Sequence, residues 1–285
     1  MKDLRIGLQI VAPDGPAAVE AIVAAERAGI ECAWMTSGAP SVDPLLVFSA
    51  AAPRTERIEM GSSIILTFPR HPLALAQEAW TLDQFAPGRL RLGVGPSGPR
   101  VIEPFYGIPY ERPTEHLREY LAVLKSVLQE GTVDFQGKRI RARVRIPGPT
   151  GVKVMASALR RRSFRLCGEV TDGAISWMCT PRYLSERAVP AMADGAAAAG
   201  RERPPLIAQL PVVVSTNEAA VRSAVPVQFG FYLKVSMYQA MFRDAGFPEA
   251  AEGTFADRLV DELAVWGDEE TVQRRLAELP ALGID

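Results

Sequence analysis

The sequence predicts an α/β fold of the (β/α)8, TIM-type barrel class. Three observations carry the expectation. Short apolar runs alternate with longer amphipathic stretches along most of the chain. Seven predicted strands, each followed by a helical stretch, imply a parallel sheet, because parallel neighbours need a long crossover. The length of 285 residues is large for one open sheet and ordinary for a barrel, where a single core serves about 250 residues. An open doubly wound sheet competes, and length and strand count favour the barrel. No linker-like or low-complexity stretch interrupts the pattern, so residues 1–285 read as one domain.

The elements follow in order. Residues 1–8 (Met-Lys-Asp-Leu-Arg-Ile-Gly-Leu) alternate charged and apolar residues and read as the start of a strand and not as a signal peptide, and residues 4–10 form that strand. Pro13, Asp14, Gly15 and Pro16 mark a turn that starts a helix, since proline is tolerated in a first helical turn. Gly29 stops that helix. Residues 32–35 are the second strand. Asp43 before Pro44 reads as an N-cap with proline at the first helical position, and that helix runs to about Ala52. Residues 59–66, rich in isoleucine, are the third strand. Residues 72–85 are a helix with Leu73, Ala76, Trp80 and Leu82 as its buried face, and residues 89–95 are the fourth strand.

Residues 96–113 break the rhythm. Pro96, Pro99, Pro104, Pro109 and Pro113 stand there among Phe105, Tyr106 and Tyr110, which predicts an ordered, irregular insertion after the fourth strand. A helix over 114–130 ends at Gly131, and residues 133–145 alternate around Gln136-Gly137 as a hairpin. Strands at 152–157, 174–178 and 210–215 alternate with helices at 164–170 and 181–199. Everything after Asn217 reads helical, with stops at Gly246, Gly267 and Gly283, so extra helices follow the seventh strand. The eighth strand is missing. Residues 283–285 look like its approach, which suggests that the sequence stops before the protein does. The alternative is imperfect closure between the first and seventh strands, with an aggregation-prone edge.

Bulk properties narrow the function. A net charge of −1 gives no reason to expect nucleic acid or an anionic membrane as partner. No apolar run approaches the ~20 residues of a membrane span. Cys32, Cys167 and Cys179 form no CxxC pair, and their odd number argues against a disulfide framework. A reducing, cytoplasmic setting fits them. His71 and His116 have no ligand-spaced neighbours, so no metal site is expected, and both read as structural.

Gly93-Val94-Gly95-Pro96-Ser97-Gly98 matches the dinucleotide fingerprint G-x-G-x-x-G. That motif works when its third glycine opens a helix. The prolines around it predict no helix before about Pro113, and the match follows the fourth strand instead of the first. It reads as a strand-end turn that brings main-chain amides close to a ligand, or as a turn needing glycine for a positive φ alone.

A longer pattern runs from His71-Pro72-Leu73 through Gln77, Thr81-Leu82-Asp83, Gly88-Arg89, Leu92-Gly93-Val94-Gly95, Ser97-Gly98-Pro99 and Tyr106-Gly107. Arg112-Pro113 and Leu117-Arg118-Glu119-Tyr120 continue it, then Cys167-Gly168-Glu169, Thr171-Asp172-Gly173 and Trp266-Gly267-Asp268-Glu269-Glu270. This resembles the luciferase-like monooxygenase superfamily. The Ser-Gly-Pro after the fourth strand is similar to the deazaflavin branch, which uses coenzyme F420. The resemblance implies a TIM-type barrel that holds a flavin or deazaflavin at the C-terminal ends of its strands, often as a homodimer.

It also implies a site. Gly61-Ser62-Ser63-Ile64 occupies the family's third-strand bulge, where deazaflavin members carry a non-prolyl cis peptide behind the planar ring; Ser63–Ile64 is the matching bond. Thr67 would hydrogen-bond the ring, with a capping role as the plainer reading. Gly95, Ser97 and Gly98 fall at the cofactor turn. Ser157, Ala158, Leu159 and Arg160 fall where the family binds the cofactor phosphate. Arg160, Arg161, Arg162 and Arg165 crowd that helix N-terminus against its dipole, and an anion there would resolve the conflict; a solvated basic stretch is the plainer reading. Ser176 and Trp177 end the sixth strand, with Trp177 equally readable as core. Glu78 and Asp83 look structural.

One departure matters. Many members carry an acid or a histidine just after the second strand. Here that segment is Thr36-Ser37-Gly38-Ala39-Pro40, with hydroxyls and no strong acid or base. No catalytic acid or base can therefore be named from sequence. Hydride transfer needs none from the protein, and Tyr106 or Tyr110 are candidate proton sources for a substrate lying near Thr36, Ser37, Phe105 and Tyr106. The expectation is an oxidoreductase moving a hydride between F420 and a small organic substrate. The alternatives are an FMN-dependent monooxygenase on the same scaffold and a non-catalytic cofactor-binding barrel, with a Rossmann dehydrogenase a distant fourth.

Overall fold

The structure is a computed structural model and describes residues 4–38 and 41–285. The reading of residues 1–3 as part of a strand start, and of Ala39 and Pro40 after the second strand, lies outside the described residues. Two compact units are present. The larger comprises residues 5–157 and 170–172; the other comprises residue 4, 158–169 and 173–285.

The larger unit is a parallel α/β assembly. Strands β1 (Gly7–Gln9), β2 (Cys32–Met35), β3 (Glu59–Ser62), β5 (Leu90–Gly95) and β8 (Lys153–Ser157) lie side by side, with β4 (Ile65–Leu66) continuing the line of β3 beside β5. Every pair is parallel, with Gly7 opposite Cys32, Cys32 opposite Glu59, Met60 opposite Leu90 and Leu92 opposite Val154. Leu8 on the first strand and Ile6 just before it are 47% and 45% exposed, unlike the wholly buried β2.

Helices α1 (Gly15–Arg27), α2 (Pro44–Ala51) and α3 (Pro72–Phe85) begin where their caps predict. Asp14 accepts from the Ala17 amide, Asp43 from those of Leu45 and Leu46, and His71 Nδ1 from that of Leu73. His71 is thus a helix cap, as its position suggested. On α3 the buried face is turned from the expected one. Leu75, Ala76, Ala79 and Leu82 are buried, whereas Leu73 and Trp80 are only half-buried.

The third strand is not continuous. It breaks after Ser62 and resumes at Ile65. Gly61 stands opposite Arg91, but Ile65 stands opposite Val94, so this side holds one residue more than β5. That is a β-bulge.

The proline-rich segment corrects the sequence reading. A helix α4 spans Pro99–Tyr106, directly after Gly98, where none was expected before Pro113. Pro99 occupies the first turn, where a missing N–H costs nothing, and Gly107 at φ +66 ends the helix. The third glycine of the fingerprint-like motif therefore does open a helix. Helix α5 (Pro113–Lys125) follows and continues as a wide turn to Glu130. The hairpin β6 (Thr132–Gln136) and β7 (Arg141–Arg145) forms as predicted. Glu119 on α5 caps its turn by accepting from the amides of Lys138, Arg139 and Ile140.

The second unit holds helix α6 (Arg161–Val170, whose last residue belongs to the larger unit) and the parallel pair β9 (Ala174–Trp177) and β10 (Leu206–Gln209). The helical stretch predicted over 181–199 contains a wide π turn at Leu184–Ala188, just ahead of Pro190. A π turn there accommodates the proline's missing amide and ring. Within the predicted strand at 210–215 only β11 (Val212–Val214) forms; β10 precedes it as a separate strand, divided from it at Pro211, which cannot donate to a ladder.

A further correction concerns the residues after Asn217. They are not all helical: β12 (Val265–Gly267) pairs in parallel with β11. Three residues are too few to show a period-2 pattern. At the chain's end the Asp285 amide donates to Leu206 O, alongside an Arg203–Asp285 ion pair at 3.1 Å. Cys32, Cys167 and Cys179 are free and buried. Among the described residues no helix is long and apolar enough to cross a membrane, and no group of metal-binding side chains gathers.

Candidate functional site

The C-terminal ends of β1, β2 and β3 converge on a hydrogen-bonded group with no formal charge. Ser63 Oγ donates to Gln9 Oε1 at 3.1 Å, Gln9 Nε2 donates to Thr36 Oγ1 at 3.3 Å, and Thr36 Oγ1 donates to Ser63 O at 3.0 Å. The bulge is also pinned by its main chain. The Ser63 amide donates to Met35 O at 2.7 Å and the Ser37 amide to Ile64 O at 3.2 Å. The Ser63–Ile64 peptide is cis. Ser62, a poor residue for a buried strand, is satisfied in full: its hydroxyl donates to Gly93 O and accepts from Gly93 N, both at 2.9 Å. Ser62 is thereby spliced into the break in the ladder.

Gly95 ends β5 at the same level. Its φ is not positive, so the turn does not need glycine there for backbone freedom. The need is space: a Cβ on Gly95 would overlap Ser157 Oγ and Ile64 Cδ1. Gly95, Ser157 and Ile64 are therefore close neighbours. Ser97, two residues on, carries the left-handed backbone at φ +58, and Gly98 is the uncapped start of α4.

Thr67 follows β4. Its amide donates to Gly95 O at 3.0 Å, and its hydroxyl meets His116 Nε2 at 3.1 Å. His116 stacks on Phe68 with centroids 4.1 Å apart and planes 19° apart. Phe68 in turn faces Tyr110 at 5.1 Å, and Tyr110 Oη donates to Ser97 O at 2.7 Å. Burial holds the His116 imidazole below its ordinary value; the Thr67 main chain and Glu119 pull it up, and Arg139 pushes it down. Burial pushes the Tyr110 phenol up to about 12. With its proton given to Ser97 O, Tyr110 is a poor proton source for a substrate.

Phe105 and Tyr106 are carried by α4, with Phe105 62% exposed. Among the described residues, neither joins the group around Thr36. Asp172, quoted above only as part of a motif, is a structural hub of the larger unit. It accepts from Lys125 Nζ at 2.7 Å, Gln129 Nε2 at 2.5 Å and the Val154 amide at 2.8 Å.

In the second unit, the Leu159 and Arg160 amides both donate to Ser163 Oγ at 3.1 Å. The dipole conflict noted from sequence is relieved within this unit: Arg160 pairs with Asp244 at 2.9 Å, Arg161 with Asp194 at 3.6 Å and Arg165 with Glu169 at 3.1 Å. Ser176 Oγ donates weakly to Ile207 O at 3.4 Å. Trp177 lies edge-on to Phe229 and Tyr232 at 5.5 and 5.9 Å, and its buried Nε1 finds no hydrogen-bond partner among the described residues.

Residues 6–285 match the model of the luciferase-like monooxygenase family. The chain belongs to this family. A putative coenzyme F420-dependent oxidoreductase of Mycobacterium tuberculosis is 27% identical, over 93% of this chain and 88% of its own length. The coenzyme F420 dependent tetrahydromethanopterin reductase of Methanopyrus kandleri superposes with a TM-score of 0.80 at 22% identity, covering 99% of this chain and 91% of that one. An FMN complex of a type II Baeyer–Villiger monooxygenase from Pseudomonas putida superposes at 0.73 and 18% identity, covering 98% and 89%. These likenesses show that the chain has the family's TIM-barrel-like α/β fold.

Sequence reasoning missed three residues of this arrangement. Gln9 had only its place at the end of the first strand as a signal. Tyr110 was weighed as a proton donor and not as a partner of Ser97. His116 was read as structural, without its link to Thr67.

Proposed function

We propose that this chain is an oxidoreductase that moves a hydride between the deazaflavin coenzyme F420 and a small organic substrate. The observation that carries the reading is the chemistry of the strand ends in the larger unit. Gln9, Thr36, Ser37, Ser63, Gly95 and Ser97 offer amides and hydroxyls and no ionisable group. Such a set positions a flat, polar heterocycle and leaves the electron chemistry to it. The F420-dependent relative and the F420-dependent structural neighbour support the same conclusion.

We assign the ring to the bulge at Ser63 and Ile64 with Gly95, Ser97, Gly98 and Ser157 beside it, and the substrate to the side of Thr36 and Ser37, with Phe105 and Tyr106 as further candidates. Thr67 is assigned to holding His116. In the second unit, taken by itself, the turn at Ala158, Leu159 and Arg160 would accept an anion where the Ser163 hydroxyl now occupies two amides. Ser176 and Trp177 remain ligand candidates of that unit.

An FMN-dependent monooxygenase is the second reading, favoured by the FMN-bound neighbour. Titrating the purified protein with F420 and with FMN, and following the fluorescence of each, separates the two. Quenching of F420 supports the first. Tight binding of FMN alone sinks it, and binding of neither leaves a barrel that uses no such cofactor.

A further inference from the structure

We propose that Tyr110 is a positioning residue for the cofactor, holding the turn at residues 96–98 in the one conformation that presents its main-chain groups to the ligand. The inference deepens the proposed function and rests on it. Its starting point is Ser97, whose φ of +58 is a left-handed conformation that a side chain other than glycine disfavours. Something must hold it. Tyr110 Oη donates to Ser97 O at 2.7 Å, a bond made from thirteen residues away across the proline-rich insertion.

Tyr110 is itself held. Its ring lies 5.1 Å from that of Phe68, which stacks on His116, which meets Thr67. Its amide donates to Glu103 Oε1 at 3.3 Å. The phenol stays protonated through the working pH range, so the bond does not lapse.

What the turn presents follows from its sequel. Gly98 starts α4 with no side-chain cap; Pro99 has no N–H and the Val101 and Ile102 amides donate to Gly98 O, so what the turn can present to a ligand is the amides of Ser97, Gly98 and Arg100. If Ser97 relaxes to negative φ, those amides and the Gly95–Gly98 backbone point elsewhere. Affinity then falls in proportion to the fraction of molecules still in the competent conformation.

The test is a two-step substitution read by fluorescence titration with F420 and with FMN, using whichever the wild type binds. Tyr110→Phe keeps the ring and its stack and removes only the donor. It is expected to weaken binding about fivefold, equivalent to about 1 kcal/mol. The same Tyr110→Phe change made on a Ser97→Gly background is expected to cost less than about twofold, because glycine enters the left-handed region without help. Equal affinity of wild type and Tyr110→Phe overturns the inference and leaves the proposed function standing. A full loss that persists on the Ser97→Gly background also overturns it, since Tyr110 would then act on the ligand directly. A wild type that binds neither cofactor overturns the proposed function, and this inference with it. Melting temperatures of the cofactor-free variants, expected to stay near wild type, separate a local effect from unfolding.

Discussion

Replacing Gly95 by alanine tests the geometry of the strand ends most directly. The new Cβ would overlap Ser157 Oγ on one side and Ile64 Cδ1 on the other. The hydroxyl is the tip of a short side chain and can rotate away. Ile64 has less freedom, because its carbonyl is bound by the Ser37 amide and the next residue is locked into β4 beside β5. Adding a carbon to such a site is overpacking, which costs about 1–3 kcal/mol. For a chain of this size that lowers the melting temperature by about 2–10 °C. Gly15→Ala is the control. Nothing lies within 4 Å of the Cβ it would add, and the residue is already helical, so no loss is expected. Thermal melts of the two variants beside wild type decide the matter. If Gly95→Ala melts within a degree of wild type, the crowding of Gly95, Ile64 and Ser157 is not real, and neither is the placement of the ring against them. If it melts lower, F420 affinity should fall as well, since Ile64 is displaced toward the bulge.

Further outcomes are expected elsewhere. Asp172→Asn should cost about 2–4 kcal/mol, because it breaks the pairing with Lys125 and disturbs two other bonds at a mostly buried site; a urea midpoint unchanged from wild type would refute its role as a hub. His116 has its folded pKa below the ordinary 6.5. The unfolded chain therefore takes the proton first, and the stability this histidine contributes above about pH 6.5 is lost as pH falls through its folded value. The melting temperature of His116→Phe should accordingly fall less than that of wild type between pH 7.5 and 5. Arg160→Ala should weaken the binding of inorganic phosphate about five- to tenfold at low salt, and less at high salt. A phosphate affinity equal to that of wild type would mean that Arg160 serves only its pair with Asp244.

Much of the fold was legible because local rules and the global structure agree. Asp14, Asp43 and His71 stand before prolines or a glycine and cap the helices they precede. The hairpin at 132–145 shows itself by alternation around Gln136-Gly137. Elements that failed to show were short. β12 has three residues, and β10 hides behind the Pro204-Pro205 pair that reads as loop. Of the site, the bulge was legible through resemblance and through the oddity of two serines in an apolar strand. The partners of those serines were not, since a hydrogen bond from Gln9 to Thr36 or from Ser62 to Gly93 joins residues 27 or 31 apart, and no periodicity carries that information.

The sharpest misreading falls at a strand end assigned to the cofactor: residues 96–113 read as irregular from their prolines, yet a helix starts at Pro99. At the third strand the resemblance points to the bulge while composition alone gives an unbroken strand over 59–66. Rules that describe regular elements fail at both positions, because both positions violate those rules. Ser62 ends β3 and Ser63 lies in the gap that follows; the Ser62 hydroxyl bonds the Gly93 main chain where the ladder is broken, and the Ser63 hydroxyl donates to Gln9. Ser97 occupies a glycine's conformation because Tyr110 holds it. Natural sequences depart from local consistency mainly at functional sites and compensate nearby. The compensations here are specific and mutually connected: Gly95 O accepts from Thr67, Thr67 meets His116, and the stack from His116 through Phe68 to Tyr110 returns to Ser97. A turn needed only to reverse the chain would use glycine at 97 and leave Tyr110 free. Keeping serine and adding a tyrosine to hold it makes sense where the orientation of that turn matters, which is the reason to look for the cofactor there.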